Sequence, residues 1–244
     1  MHTRLTIDEG NSSTKIALWR DGVMVSECTC ARASMEQAAA VANGDAPVDS
    51  LIFCSVCRRA DESLRRSLGR LGRRVTVLGA DIPLPVRIGY RTPATLGADR
   101  IAAAVGATVI HPGRTCLVVD MGTAITYDVV RADGEYLGGN IAPGIFVRLE
   151  ALNHFTAALP LVETDGDVPR WGYDTETALR SGAIRGVVGE LQYYRHCLEP
   201  DAAVVLTGGS ADLITDYITS PITVEPNLVL IGLNRILEYN ETPS

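Results

Sequence analysis

Along this chain short apolar runs close on acidic and glycine positions, and one such pattern occurs twice. In CLVVDMGTAITYD (116–128) an apolar run ends at Asp120 and then Gly122, after which a second apolar stretch begins. RLTIDEGNSSTKIALW (4–19) has the same form, with Asp8 aligning with Asp120 and Gly10 with Gly122. Each copy reads as strand, D-x-G turn, strand, because a short apolar run bounded by turn residues suits a buried strand and glycine lets the backbone fold tightly. One such unit in each half predicts two similar domains with a cleft between them.

In chain order the pattern gives antiparallel strands at 4–8, 14–20 and 23–30, the last two joined through Asp21 and Gly22. An amphipathic helix over 34–42, capped by Ser34, and a buried strand over 51–54 complete a β-α-β unit. Residues 61–71 repeat the helical period with acids first and arginines later, as the helix dipole favours, and 74–78 form another strand. Pro83, Pro85 and Pro93 exclude a long helix from 82–96 and predict a loop across the mouth of the domain.

A helix then begins near Ala98, and His111, Pro112 and Gly113 break it. That break divides the chain into domains 1–112 and 113–244. In the second, a strand over 136–142 leads to Pro143 and Gly144, and a helix runs to about 159. An exposed loop over 160–174 precedes a long helix to 198, of which Thr175 is the expected N-cap on the plainest reading. A buried strand over 202–206 ends in Thr207, Gly208 and Gly209, where the backbone is free to pass close to a ligand, and an amphipathic helix closes the chain with Asn227 near its start.

Composition narrows the partners. At 244 residues, 46% hydrophobic and 21% charged, the chain is an ordinary globular protein. Its formal charge of −7 argues against a nucleic-acid partner, whose usual footprint is a basic stripe. No apolar run reaches the ~18 residues of a membrane span, and the N-terminus enters a strand at once, so no membrane partner and a cytoplasmic location are expected. The six cysteines lack disulfide-scaffold density and read as reduced thiols. Cys28, Cys30, Cys54 and Cys57 have the types for a zinc site, against the plainer reading of cysteine as a small buried hydrophobe.

The chemistry gathers at the repeated turns. A single D-x-G is among the commonest hairpin signals. Two facing turns of this kind present amides and hydroxyls to a phosphate chain while their carboxylates hold a cation or its water shell, which makes a nucleotide clamp. In GADR (97–100), Asp99 and Arg100 fall in a helix's first turn. Alone they read as a dipole partner and a surface cation; the preceding proline loop with Tyr90 favours a site.

DEGNSSTK (8–15), GADR (97–100), DMGTA (120–124), GGNIAPG (138–144) and TGG (207–209), in that order, resemble the motif set of the type III pantothenate kinases. The resemblance implies an α/β fold, the duplicated actin-like ATPase and acetate and sugar kinase (ribonuclease H-like) fold, with two similar domains around a cleft. It implies ATP-dependent phosphorylation of pantothenate to 4'-phosphopantothenate, the first step of coenzyme A synthesis.

By position, Asp8, Glu9, Gly10, Asn11, Ser12, Ser13, Thr14 and Lys15 would line the ATP phosphates, with Lys15 as countercharge and Thr123 adding a contact from the second domain. Mg²⁺ would accompany ATP near Asp8, and a monovalent cation, K⁺ or NH₄⁺, would sit at Asp120. Tyr90, Gly97, Ala98, Asp99, Arg100 and Thr175 match the pantothenate-binding positions, with Asp99 as the proton acceptor. A carboxylate at a helix N-terminus is favoured in its charged form, and the planar donors of Arg100 suit the pantothenate carboxylate. The resemblance also implies a homodimer with the active site near the subunit interface.

Three positions depart from the family pattern: Ser12 where Thr is usual, Asp174 where Asn is frequent, and Glu9 where an apolar residue is frequent. A carboxylate at Glu9 repels a triphosphate unless it turns away or meets a cation. Two other readings of the same fold are a kinase of another hydroxylated metabolite and a nucleotide-gated transcriptional regulator. A regulator needs no base at Asp99 and wants a basic DNA-facing patch.

Overall fold

Alternation of apolar and polar positions makes β1 (Thr3–Glu9) and β2 (Thr14–Arg20) an antiparallel pair in which the residues of each strand point alternately to two faces. The structure, a computed structural model, describes residues 2–30, 41, 47–56, 62–79 and 81–241. Ser34, most of the helix expected over 34–42, and Cys57 lie outside the described residues. The chain forms two units. The first comprises Met1–Pro112, Gly134–Tyr136 and Asn227–Ser244, and the second Gly113–Asp133 and Leu137–Pro226, so the closing helix returns to the first unit.

In the first unit β3 (Val23–Cys30), β4 (Val48–Ser55) and β5 (Gly72–Val77) extend the pair into a sheet of order β3-β2-β1-β4-β5, with β4 parallel to β1. Leu5, Ile7, Ile16, Leu18, Leu51 and Phe53 meet on one face with Leu68 of helix α1 (Glu62–Leu68). Each such side chain contributes about 1.5–3 kcal/mol on burial. The opposite face carries Arg4, Thr6 and Asp8, and helix α6 (Leu228–Glu241) lies against its Arg4 end. There Arg4 reaches Glu241 at 2.8 Å and Glu238 at 3.1 Å.

Helix α2 (Ala98–Ile110) packs on α6 through small residues. A methyl group on Gly232 would overlap the carbonyl of Ala102, and one on Gly106 the carbonyl of Leu228, so both glycines permit backbone contact. The expected proline loop also holds a two-residue strand, β6 (Arg87–Ile88), paired in parallel with Glu135 and Tyr136, and a 3-10 turn at Pro93–Thr95.

The second unit is built on β7 (Cys116–Met121), β8 (Ala124–Val130), β9 (Glu135–Pro143), β10 (Ala203–Thr207) and β11 (Thr223–Val224). Its strand order, β11-β10-β7-β8-β9, is that of the first sheet read from the other edge. Leu117, Val119, Met121 and Leu206 form its core with Ile145 and Leu149 of α3 (Ile145–Phe155) and Ile184 and Val187 of α4 (Thr175–His196). A short α5 (Asp212–Thr215) follows β10.

Two local expectations are corrected. The helix expected to about 159 stops at Phe155, where Thr156 turns extended. The cap of α4 is Asp174, not Thr175: its carboxylate accepts from the Thr177 amide at 2.8 Å in a reciprocal capping box.

Candidate active site

Register in the first sheet sets Lys15, Asp8 and Cys54 side by side across β2, β1 and β4. Directly opposed residues share a face, so the Lys15 ammonium stem and the Asp8 carboxylate project together. Between the strands, Gly10–Ser13 form a turn closed by the Gly10 amide on the Ser13 carbonyl at 2.9 Å, and Asn11 and Ser12 are exposed. Glu9, one residue on, faces the other way. It is buried against Ser55, its register partner, whose hydroxyl donates to it at 2.7 Å. The strand's period of two thereby sends this carboxylate away from the face that Asp8 presents.

Asp99 sits in the first turn of α2, its carboxylate folded back over Gly97, where a methyl group would overlap it. Cys54, in register with Asp8, feels the charge of both acids. Burial first, then the negative charges of Asp8 and Asp99 and a hydrogen bond to Asp8, push its thiol well above the usual range. Arg100 is buried, so the surface-cation reading does not hold, and its guanidinium carbon stands 5.9 Å from the centre of the Tyr90 ring. Tyr90 lies 6.4 Å from the ring of Tyr136. Gly97 and Ala98, with Phe53, Arg65, Leu96 and Ile101, line a cavity of about 440 Å³. The first unit therefore carries the Gly10–Ser13 turn, a candidate base and an arginine with its aromatic partner.

In the second unit Asp120 has Thr126 and Thr207 as its register neighbours. The turn is tighter: the Gly122 amide reaches the Ala124 carbonyl at 3.1 Å, and Thr123 is exposed. Backbone grips it from other segments. The Gly144 amide donates to the Thr123 carbonyl at 2.9 Å, and the Ser210 amide to the Met121 carbonyl at 3.0 Å. Gly208, with φ +89°, presses its backbone on Asp120 and Met121, so the close approach expected of this glycine is to the protein itself. Thr175 is exposed at the start of α4, its cap role taken by Asp174.

Among the described residues the zinc alternative does not assemble. Cys28 and Cys30 pack on the Leu5 face of the sheet and Cys54 lies on the Asp8 face. Among the described residues no group of three metal-ligating side chains occurs. Sequence reading missed Tyr127, Arg148 and Glu190, which join across β8, α3 and α4.

Paired acid-and-turn units on two sheets of one strand order, the first with a lysine in register, give the α/β fold of the actin-like ATPase and sugar kinase class. Solved structures agree on the fold. A Campylobacter jejuni protein assigned to the Baf family of transcriptional activators superposes with TM-score 0.64 at 22% identity, covering 97% of this chain and 98% of that one. A 2-dehydro-3-deoxygalactonokinase-type protein of Sinorhizobium meliloti gives 0.63 at 13% identity, covering 98% and 100%. The sequence pattern of the family "Type III pantothenate kinase" matches residues 4–196. A type III pantothenate kinase of Porphyromonas gingivalis is 40% identical over 246 residues, spanning 98% of this chain and all of its own length. One of Bacteroides fragilis is 41% identical over 239 residues, covering 97% and 98%. The chain belongs to the type III pantothenate kinase family and is a kinase. No helix among the described residues is long and apolar enough to cross a membrane.

Proposed function

We propose that this chain transfers the γ-phosphoryl of ATP to the primary hydroxyl of pantothenate, giving 4'-phosphopantothenate in the first step of coenzyme A synthesis, with Asp99 as the base. The observation that carries this is Lys15 in register beside Asp8 at the Gly10–Ser13 turn, with Asp99 in the first turn of α2. Phosphoryl transfer asks mainly for positioning and charge neutralisation. The exposed amides and hydroxyls of Asn11 and Ser12 suit phosphate oxygens, and Lys15 supplies the countercharge. Glu9, turned into the sheet, is no obstacle to them.

Arg100, held under Tyr90, binds the pantothenate carboxylate, and Gly97 and Ala98 line the cavity beside it; Thr175 is assigned to the acceptor by the family motif alone. Thr123 adds a phosphate contact. Mg²⁺ arrives on the nucleotide, in keeping with its preference for phosphates, water and one or two carboxylates, of which Asp8 is one. Asp120 holds the monovalent cation: hydroxyls flank it in register, so the row keeps a negative field and oxygen donors. The working form is a cytoplasmic homodimer, and a second copy would cover apolar side chains that the second unit exposes, among them Phe146, Phe155 and Trp171.

The test is ATP-dependent phosphorylation of pantothenate with and without K⁺, run on the wild-type chain and on Asp99→Asn. A positioned base contributes ~10²-fold or more, so kcat should fall at least that far. Turnover within a few-fold of wild type would remove Asp99 from this role.

A further inference from the structure

We propose that Glu190 is a positioning residue for the second turn, acting through Arg148 and the GGNIAPG stretch to hold Thr123 in its phosphate-binding pose. This rests on the kinase reading above. From α4, one Glu190 carboxylate oxygen accepts two hydrogen bonds: the Tyr127 hydroxyl of β8 at 2.8 Å and Nη2 of Arg148 in α3 at 2.7 Å. The same guanidinium turns its Nε to the carbonyl of Pro143 at 2.8 Å. The next residue, Gly144, donates its amide to the Thr123 carbonyl at 2.9 Å. A methyl group on Gly144 would overlap the carbonyls of Gly122 and Thr123. An unbroken run of bonds therefore leads from the long helix to the turn.

The geometry separates this brace from a plain ion pair. To tie α3 to α4 a single contact suffices, and an apolar pair often serves as well. Here the guanidinium fork is divided between a carboxylate and one carbonyl, that of the residue before Gly144. Lysine, with its compact ammonium, does not reproduce a planar fork. Tyr127 is buried, and burial together with the Glu190 bond drives its phenol upward, so it stays a donor. Two of the three glycines of the stretch lie at close backbone approaches beside the brace. Gly139 passes against the Tyr127 carbonyl, and Gly144 against the turn itself.

The experiment compares the full-length wild type with Glu190→Gln and Arg148→Lys. It measures ATP binding by calorimetry without pantothenate, KM for each substrate, and Tm. A misplacement of about 1 Å can cost ~10²-fold, and a loosened turn should weaken ATP binding and raise KM for ATP ~10-fold. KM for pantothenate should stay at the wild-type value, with Tm within a few degrees. Arg148→Lys is decisive, because it keeps the charge beside Glu190 and loses the fork. ATP affinity within twofold of wild type in Arg148→Lys overturns the proposal, as does an equal rise in both KM values that tracks a fall in Tm. If the wild type binds ATP yet leaves pantothenate untouched, the acceptor assignment fails while the ATP affinities still decide the brace. A wild type that binds no ATP overturns both.

Discussion

The two turns stand at the same place in sheets of the same strand order, yet the neighbours of the two acids differ in charge. Asp8 lies between Lys15 and Cys54, and Asp120 between Thr126 and Thr207. An ammonium beside Asp8 leaves a row near neutrality that can face a phosphate chain. Hydroxyls beside Asp120 leave a row that is net negative and rich in oxygen, which suits a cation. The turns differ as well: the first is a four-residue loop with Asn11 and Ser12 exposed at its tip, the second a two-residue turn gripped by Gly144 and Gly208. On the proposed function, then, the two units share a backbone plan and their cross-strand partners divide the chemistry.

Exchanging those partners tests the division most severely. Two unit charges ~4 Å apart near a protein surface interact by about 4 kcal/mol, so removing the lysine should cost ~10²–10³-fold in kcat/KM for ATP. Lys15→Thr, which gives the first row the character of the second, is expected to lose that much in a steady-state assay. The reverse change, Thr126→Lys, supplies a tethered ammonium beside Asp120. It should bring the ratio of rates with and without K⁺ close to one. Stimulation by K⁺ that persists unchanged in this variant would take the cation away from Asp120.

The two turns themselves could be read before the fold was known, because both strand pairs announce themselves by a period of two and a D-x-G end, while their differing cross-strand partners came only with the register. The orientation of Glu9 follows from the same period: adjacent residues of a strand point to opposite faces, so Asp8 and Glu9 cannot both meet a phosphate chain. The place of Asp99 in a helix's first turn was legible, while its proposed role as base comes from the family resemblance. The burial of Arg100 was not, since an arginine there looks the same in sequence whether it meets solvent or the ring of Tyr90. The brace left no local trace either. Tyr127 and Arg148 lie 63 and 42 residues from Glu190, on three different elements, and no short-range pattern registers such a meeting.

The difference in grip gives a smaller, structural effect. A side chain on Gly144 has to displace the carbonyls of the second turn, whereas one on Gly10 meets the Ser13 carbonyl at 3.2 Å, a contact that a few tenths of an ångström relieves. Overpacking of a tight site costs about 1–3 kcal/mol. Gly144→Ala should lose about that in urea unfolding, with Gly10→Ala below about 0.5 kcal/mol, the usual range for surface changes. Equal losses in the two variants would mean that the turns are held alike.

Acid sensitivity separates the units most finely, because each carries a glutamate whose pKa is lowered by its partners. For Glu241 of the first unit, burial works to raise the pKa, but hydrogen bonds from Ser50, Arg4 and His2 outweigh it. For Glu190 of the second, burial again opposes, and bonds from Arg148 and Tyr127 prevail. Both folded values lie below the ordinary 4.5, so the unfolded chain binds the extra protons. The stabilisation is then complete above the unfolded value and drains away as pH falls through the folded one. Glu241 accepts from three side chains and Glu190 from two, so Glu241→Gln should flatten the acid limb of stability more than Glu190→Gln. Urea unfolding of both variants between about pH 3 and pH 6 measures those slopes directly. An unchanged slope in Glu241→Gln would show that the closing helix draws no net stability from its carboxylate, leaving the apposed glycines of α2 and α6 to hold it.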